Sequence, residues 1–309
     1  MKVILGTLNF DYKCVSEEFN LEKINDFLAI SKKNGITDID TAYYYGNAEK
    51  YLGLCMKSNE EYQNCFKFSS KANPWKNNDF TLNKLGELSY AGIQRQCNTS
   101  LKNLQISQFD KYYMHCWDYE TDVAETCESF DKLYRDEKIN KFGVSNISKS
   151  QMESILSVCE QNQWIHPSVY QGMYNLYCRK VEDIIPLLRE NKMEFVAYNP
   201  LAGGILTGKQ KVENRVGRFS NNEIYTKIFW EDELISKSSK LTSSIALRWL
   251  KYHSMLKNED GIIIGSSTRE QLKDNISQLA SGDVLNEDEK MVVLDFYSFA
   301  SKFQPNYYY

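Results

Sequence analysis

Four residues with complementary proton chemistry stand near the ends of three predicted strands. They are Asp40, Tyr45, Lys71 and His115. A phenol has a pKa near 10, so it holds its proton at neutral pH and donates it slowly. An ammonium ion about 4 Å away stabilises the phenolate by up to ~4 kcal/mol at an effective dielectric near 20, which equals roughly three pKa units. Tyr45 beside Lys71 would therefore be a competent acid.

The other two residues complete a set that can polarise a carbonyl group. Asp40 would hold Lys71 charged and oriented, and a neutral His115 would donate a hydrogen bond to the substrate oxygen. The set protonates an alkoxide but contains no hydride, so a cofactor must supply one. Each residue alone has an ordinary structural explanation: a helix cap, a solvated lysine, a packed tyrosine or a core histidine. Their joint occurrence at three strand ends favours a built site.

Short runs of β-branched and aromatic residues alternate with longer segments of helical period. This alternation is typical of strands that pass through a helix to a parallel neighbour. The sequence predicts an α/β fold, a (β/α)8 TIM barrel in one domain over residues 1–309, whose site lies at the carboxyl ends of the strands. The eight predicted strands are 3–7, 36–39, 66–69, 109–114, 141–144, 168–171, 194–198 and 261–264.

Local signals predict how several elements begin and end. Asn20 is expected to cap the first helix and Gly35 to end it, and Ser148 opens a capping box. The wide interval between the strands at 194–198 and 261–264 predicts a long loop after strand seven. An extra C-terminal helix is predicted over 287–299.

Composition argues against several classes of function. The 37 basic and 41 acidic residues give a net charge of -4, which disfavours a nucleic-acid partner. Apolar runs fall far short of the roughly 20 residues of a membrane helix. With 3 histidines and no zinc-site spacing, no metal is expected. The 8 cysteines form no C-x-x-C pair and no secretory signal is present, so we expect reduced thiols and a cytoplasmic location.

Several motifs resemble the aldo-keto reductase family. They are Asp40-Thr-Ala-x-x-Tyr-Gly-Asn-Ala-Glu49-x-x-Leu-Gly53, the lysine of Ser-Ser-Lys71 and the histidine of Tyr-Met-His115. The resemblance implies a barrel in which Asp40, Tyr45, Lys71 and His115 form a catalytic tetrad for NAD(P)H-dependent carbonyl reduction. Segments 169–175, 197–209 and 217–219 are similar to the aflatoxin-aldehyde reductase-like subgroup.

The resemblance also implies how a cofactor would bind. Ser145, Asn146 and Gln171 would bind the nicotinamide carboxamide, and Tyr198 would stack on the ring. Backbone amides of the glycine-rich segment 199–209 would approach the pyrophosphate, and a helix N-terminus in 267–275 would hold the adenosine phosphate. Nearby positive charge from Arg218, Arg269 and Lys273 favours NADPH over NADH. The expected cofactor-binding residues are Asp40, Ser145, Asn146, Gln171, Tyr198, Asn199, Leu201, Gly203, Gly204, Gly208, Lys209, Arg218, Ser267, Arg269, Gln271 and Asn275.

The expected substrate pocket departs from this subgroup. Members that act on short carboxylated aldehydes bind the carboxylate through arginines, whereas this chain has Ile228 and Tyr309 at those places. An aromatic, uncharged pocket would favour apolar or aromatic carbonyls, because an unpaired carboxylate is costly there. The residues expected to form it are Trp117, Phe229, Trp230, Tyr307 and Tyr309.

These observations predict an NADPH-dependent reductase that converts aldehydes or activated ketones to alcohols, with Tyr45 as the acid. Its expected partner is a small carbonyl compound, with neither nucleic acid nor membrane, and it would act as a monomer or homodimer. Two alternatives remain open: a cofactor-sensing regulatory subunit of the same fold, and a metal-dependent barrel hydrolase.

Overall fold

The computed structural model describes residues 1–11, 16–62, 64–78, 85–215, 217–221 and 223–309. Within them, eight strands form a closed parallel barrel in the order β1 to β8, which confirms the predicted (β/α)8 TIM barrel. The strands are β1 Lys2–Gly6, β2 Asp38–Asp40, β3 Lys67–Ala72, β4 Phe109–Met114, β5 Ile139–Ser145, β6 Val169–Met173, β7 Glu194–Tyr198 and β8 Gly261–Ile264. The helices are α1 Glu17–Lys33, α2 Ala48–Ser58, α3 Tyr90–Leu104, α4 Val123–Arg135, α5 Lys149–Asn162, α6 Ile185–Glu190, α7 Arg218–Asn221, α8 Glu223–Phe229, α9 Asp232–Lys237, α10 Ser243–Tyr252, α11 Arg269–Ala280 and α12 Glu287–Ala300.

The ends of α1 show where local prediction succeeded and where it failed. The prediction that Asn20 caps this helix is wrong, because the N-cap is Ser16, whose hydroxyl accepts a hydrogen bond from the Phe19 backbone N–H. Asn20 is instead buried within the first turns. At the other end, Gly35 takes the left-handed conformation at φ 70° just after the helix, as predicted. The capping box at Ser148 is also confirmed.

The loop predicted after β7 is present: between Tyr198 and α7 the described residues contain one regular element, the 3₁₀ helix Ala202–Thr207. The rest of the interval to β8 is helical and contains α8, α9 and α10, which bury apolar residues such as Leu234, Ile235 and Leu250. The extra C-terminal helix, α12, is confirmed.

The chain groups into two compact units. The first, called the N-terminal unit, comprises residues 4–171, 187–194 and 308–309, and the second, the C-terminal unit, comprises 1–3, 172–186 and 195–307. A single domain over residues 1–309 stays a prediction.

Aromatic side chains form much of the core of each unit. In the N-terminal unit, Phe130 stacks on Phe142 at a ring-centroid distance of 4.1 Å, and both are fully buried. In the C-terminal unit, Tyr174 makes edge contacts with Phe195 and Trp249 at 5.8 and 5.9 Å. Burial of large rings supplies the apolar area that stabilises each unit.

A buried cation lies near the amino ends of strands in the N-terminal unit. Lys111 is 1% exposed, and its Nζ lies 3.3 Å from Glu194, 3.5 Å from Asp110 and 3.9 Å from Asp38. Burial alone would lower the pKa of Lys111, but the three carboxylates outweigh it and raise that pKa. One member of this charge cluster, Asp38, lies two residues before Asp40 at the other end of β2.

Within the described ranges, no helix has both the length and the apolar composition needed to cross a membrane. No group of three or more histidine, cysteine, aspartate or glutamate side chains there is arranged to hold a metal ion.

Candidate active site

The centre of the site is a buried ion pair between β2 and β3. Asp40 ends β2, and the register of Asp40 with Ser69 places Lys71 two residues further along β3, on the same face of the strand as Ser69. Lys71 is 1% exposed, and its Nζ donates to Asp40 Oδ1 at 2.6 Å and to the Thr41 carbonyl at 2.7 Å. Burial would lower the pKa of Lys71, but Asp40 and Tyr45, through their charges and hydrogen bonds together, outweigh it and raise that pKa. Lys71 is therefore a fixed, charged ammonium group.

Asp40 is held by three further hydrogen bonds. Its second carboxylate oxygen, Oδ2, accepts from Gln171 Nε2 at 2.7 Å. Its backbone carbonyl accepts from both the hydroxyl and the backbone N–H of Thr7, each at 3.0 Å. Gln171 was predicted only as a cofactor ligand, so its contact with Asp40 is an additional finding.

Tyr45 lies in the turn after β2, beside this ion pair. The Lys71 Nζ is 5.2 Å from the centroid of the Tyr45 ring, and a hydrogen bond with the Tyr45 side chain contributes to the raised pKa of Lys71. Tyr45 itself is partly exposed, whereas Lys71 is not. Tyr45 thus lies beside the ammonium and keeps accessible surface, as a proton donor requires.

His115 follows β4 and faces Tyr45. Its backbone N–H donates to the Ala72 carbonyl at 2.8 Å, and its ring centroid is 6.1 Å from that of Tyr45. Burial, followed by the charge of Lys71, holds the pKa of His115 well below its usual range, so the imidazole is neutral. Its Nδ1 atom is buried and has no hydrogen-bond partner among the described residues.

The structure therefore brings the four predicted catalytic residues together within the N-terminal unit. Two predicted cofactor residues adjoin them. Ser145, at the end of β5, is 1% exposed, and the next residue, Asn146, takes the left-handed conformation at φ 54°. The Asn146 side chain donates to the His115 carbonyl at 2.9 Å.

The segment predicted to bind the pyrophosphate lies in the C-terminal unit, and glycines with positive φ shape its backbone. The side chain of Asn199 accepts from the Gly203 N–H at 2.9 Å, and Gly203, Gly204 and Gly208 have φ of 66°, 107° and 69°. A Cβ added to Gly203 would lie 2.3 Å from the Tyr225 ring. Only glycine tolerates both the positive φ and the close approach of the Tyr225 ring at position 203. The other predicted residues of this segment are Tyr198 and Leu201, both partly exposed, and Lys209, which is exposed.

The predicted adenosine-phosphate residues surround the start of α11. Thr268 caps the helix by accepting from the Gln271 N–H at 3.2 Å, and the Ser267 N–H donates to the Gln271 side chain at 2.9 Å. Arg269 begins the helix and is exposed, while Asn275 is buried and donates to Ser266 at 3.3 Å. The side chain of Arg218 lies outside the described part of the chain, so its role stays a prediction.

Two of the predicted substrate residues lie in an aromatic cluster of the C-terminal unit. Phe229 is 4% exposed and packs against Tyr225 at a centroid distance of 4.5 Å. Trp230 is partly exposed, but the Arg215 guanidinium carbon lies 4.9 Å from its ring centroid. The expectation that Trp230 lines an uncharged substrate pocket stays a prediction. Tyr307 is also buried, at 5% exposure.

The remaining two belong to the N-terminal unit, where the structure adds residues that the sequence did not single out. Trp117 is partly exposed after β4. Tyr309 packs against a cluster of Trp75, Leu85 and Cys116, which Tyr44 also contacts. Of these four residues, Tyr44 and Cys116 had a sequence signal, since they directly adjoin Tyr45 and His115.

Comparison with known proteins shows the family to which this chain belongs. The aldo/keto reductase family model matches residues 2–290. The chain is 35% identical over 306 residues to aflatoxin B1 aldehyde reductase member 2 of Mus musculus, covering 90% of this chain and 80% of that protein. It is 36% identical over 281 residues to aflatoxin B1 aldehyde reductase member 4 of Homo sapiens, covering 81% of each. The chain therefore belongs to the aldo/keto reductase family and is an NAD(P)H-dependent oxidoreductase.

Proposed function

We propose that this protein reduces aldehydes, or activated ketones, to alcohols with NADPH, and that Tyr45 is the general acid. The observation that carries the proposal is the buried Lys71 ammonium, fixed by Asp40 and lying beside the Tyr45 phenol. The names of the relatives, as aldehyde reductases, support an aldehyde substrate.

Tyr45 delivers the proton that completes the reduction. Bound NADPH would supply a hydride to the carbonyl carbon, and the carbonyl oxygen then gains negative charge. The Tyr45 O–H bond breaks as its proton passes to this oxygen, which becomes the hydroxyl of the alcohol. The phenolate that remains is stabilised by Lys71, whose own charge is maintained by Asp40. Gln171 contributes by fixing the other oxygen of Asp40.

His115 orients the substrate. Because its pKa is held well below the usual range, the imidazole is neutral and does not compete with Tyr45 as an acid at neutral pH. A neutral imidazole N–H aimed at the carbonyl oxygen polarises the C=O bond and directs it toward the phenol.

The chemistry of the described residues fits a nicotinamide dinucleotide. The Asn146 side chain is held against His115, and Ser145, the preceding residue, is a buried polar side chain, and both residue types suit a carboxamide. Gly203 and Gly204 are partly exposed, have positive φ and carry no Cβ, so a phosphate can approach the backbone closely there. The start of α11 offers backbone donors, and the exposed cations Arg269 and Lys273 on its first turns favour the extra phosphate of NADPH.

The test is substitution of the acid with a matched control. Tyr45→Phe removes one oxygen, and we expect turnover of NADPH with an aldehyde to collapse while NADPH binding, measured by quenching of tryptophan fluorescence, is retained. Tyr43→Phe, in the same tyrosine run, should leave turnover unchanged. Normal turnover by Tyr45→Phe would falsify the assignment of the acid. The same assay separates this function from a cofactor-sensing role, because a sensor would bind NADPH without consuming it at a useful rate.

A further inference from the structure

The turn that carries Tyr45 leads directly into helix α2, and the start of this helix lacks a local cap. Its N-cap residue is Asn47, whose side chain caps no backbone N–H among the described residues. The third helical residue, where a capping box has glutamate or glutamine, is Lys50, which pairs with Glu17 at 3.2 Å. A lysine side chain cannot accept a hydrogen bond. The expected local acceptor for the Asn47 N–H is therefore missing from α2.

A carboxylate from the segment after β1 supplies this acceptor. Asp11 Oδ2 accepts from the Asn47 backbone N–H at 3.0 Å and from the Asn47 side-chain amide at 3.4 Å, across 36 positions of sequence. The first N–H groups of a helix have no partner within the helix, and negative charge is favoured near them. Asp11 thus closes the start of α2 in place of a capping box.

The same carboxylate lies against Gly46, the residue that follows Tyr45. Gly46 has φ 60°, and a Cβ added there would lie 2.2 Å from Asp11 Oδ2. That distance is too short for any side chain, so only glycine lets the turn and the carboxylate approach each other in this way. Asp11 therefore meets both of the residues that come directly after Tyr45.

The segment that carries Asp11 is itself well anchored. Phe10 is 2% exposed and packs edge-on against Phe27 of α1, with ring centroids 5.6 Å apart. The Phe10 N–H donates to the Thr7 carbonyl at 2.9 Å, and the Thr7 hydroxyl donates to the Asp40 carbonyl at 3.0 Å. Asp11 is therefore attached to a fixed part of the N-terminal unit, next to the residue that pairs with the catalytic lysine.

The geometry of Tyr45 depends on how its turn is held. The Tyr45 N–H donates to the Ala42 carbonyl at 2.9 Å, and the Tyr45 carbonyl accepts from the Ala48 N–H at 3.2 Å, so both bonds stay within the turn and the start of α2. Tyr45 is partly exposed, so burial alone does not fix it. A proton donor must come within about 2.6–3.2 Å of its acceptor, and a displacement of about 1 Å can lower the rate about a hundredfold.

We propose that Asp11 is a positioning residue for proton transfer, which holds the turn before α2 so that the Tyr45 phenol stays beside the Lys71 ammonium. This inference rests on the proposed function. Asp11 acts through the backbone and takes no part in the proton transfer itself. Its acceptor oxygen, rather than its charge, carries the effect, because its partner is a neutral N–H.

The experiment measures kcat with benzaldehyde and with propanal at saturating NADPH. Asp11→Ala removes the acceptor, and we expect kcat to fall by about ten- to a hundredfold while NADPH affinity is unchanged. Asp11→Asn keeps an acceptor oxygen at the same reach and should retain kcat within about threefold of the parent. The control is Asp122→Ala, since Asp122 accepts from the Ala124 N–H at 2.8 Å and caps α4. This control should lose thermal stability, as a removed cap does, but no kcat.

Deuterium oxide provides a measurement that a loss of stability does not change. Displacement of Tyr45 makes proton transfer slower, so deuterium should lower kcat of Asp11→Ala by a larger factor than kcat of the parent. Thermal unfolding of each variant sets a working temperature at which the protein is folded. Because Asp11 is partly exposed, its removal should leave the fold intact.

The outcomes separate this inference from the proposed function. Parent-like kcat in Asp11→Ala, or an equal loss of kcat in Asp11→Asn or Asp122→Ala, would overturn the positioning role while Tyr45 remains the acid. Failure of Asp11→Ala to fold would overturn it too, because Asp11 would then serve folding. A parent protein that oxidises NADPH with neither aldehyde, or normal turnover by Tyr45→Phe, would refute the proposed function and this inference with it.

Discussion

Replacement of Lys71 by methionine tests the electrostatic basis of the proposed acid. Methionine keeps most of the side-chain volume and removes the charge. At about 4 Å and an effective dielectric near 20, the ammonium stabilises the Tyr45 phenolate by up to ~4 kcal/mol. Since each 1.36 kcal/mol corresponds to about tenfold in rate, kcat for aldehyde reduction should fall by up to roughly a thousandfold. The rate that remains should rise with acid in the medium, because Tyr45 alone is a poor donor.

The same substitution also affects folding, and a double variant separates the two effects. Lys71→Met leaves the 4%-exposed Asp40 without its cation, and breaking a buried pair in this way costs about 3–5 kcal/mol. Adding Asp40→Asn removes the orphaned charge and should restore much of the thermal stability but none of the activity. The assay is kcat and kcat/KM against pH, with thermal unfolding of each variant. If folded Lys71→Met kept its kcat within tenfold of the parent, the ammonium would not be activating Tyr45.

Three further predictions follow from other parts of the structure. Lys111→Met should lower the free energy of unfolding by about 3–5 kcal/mol, because three carboxylates lose a buried cation. Lys141→Met, the control, removes a 41%-exposed partner of Glu194 and should lower it by at most about 1 kcal/mol. His115 stays neutral in the folded protein, whereas in the unfolded chain it binds a proton below the ordinary histidine pKa near 6.5. The free energy of unfolding should therefore fall as the pH is lowered, and it should fall less steeply in His115→Gln. Gly203→Ala should weaken NADPH binding more than Gly217→Ala, since both have positive φ but an added Cβ meets nothing within 4 Å at Gly217.

Each of these predictions has a clear contrary outcome. Chemical denaturation would contradict the first if the two lysine variants lost equal stability. For His115, identical acid unfolding profiles of the parent and the glutamine variant would show that the imidazole is protonated when folded. Fluorescence titration with NADPH would contradict the third if the two alanine variants bound alike, because positive φ alone would then account for the effect.

The two buried lysines determine how the stability of the protein changes at alkaline pH. The pKa values of Lys71 and Lys111 are raised in the folded protein. Their contribution is therefore fully present below the ordinary lysine value and is lost as pH rises through the folded values. Unfolding at high pH should thus begin above the ordinary lysine pKa.

Much of this architecture was readable from the sequence alone because it depends on local patterns. The alternation of short β-rich runs with helical segments predicted all eight strands, most within two residues of their observed bounds. Strand order then placed Asp40, Tyr45, Lys71 and His115 on one face, since the carboxyl ends of parallel strands meet there. The capping box at Ser148 could also be predicted from the sequence, because both of its hydrogen bonds join residues three positions apart.

The tertiary structure alone decided which distant residues touch. Gln171 bonds to Asp40 across 131 positions, and Tyr309 reaches Trp75 and Cys116 from the far end of the sequence. No local pattern specifies such contacts, because they follow from strand register and from which side chains fill the remaining space once the barrel closes. Residue types and spacing thus predicted the fold and the residues of the proposed acid chemistry, whereas packing decided which distant side chains come into contact.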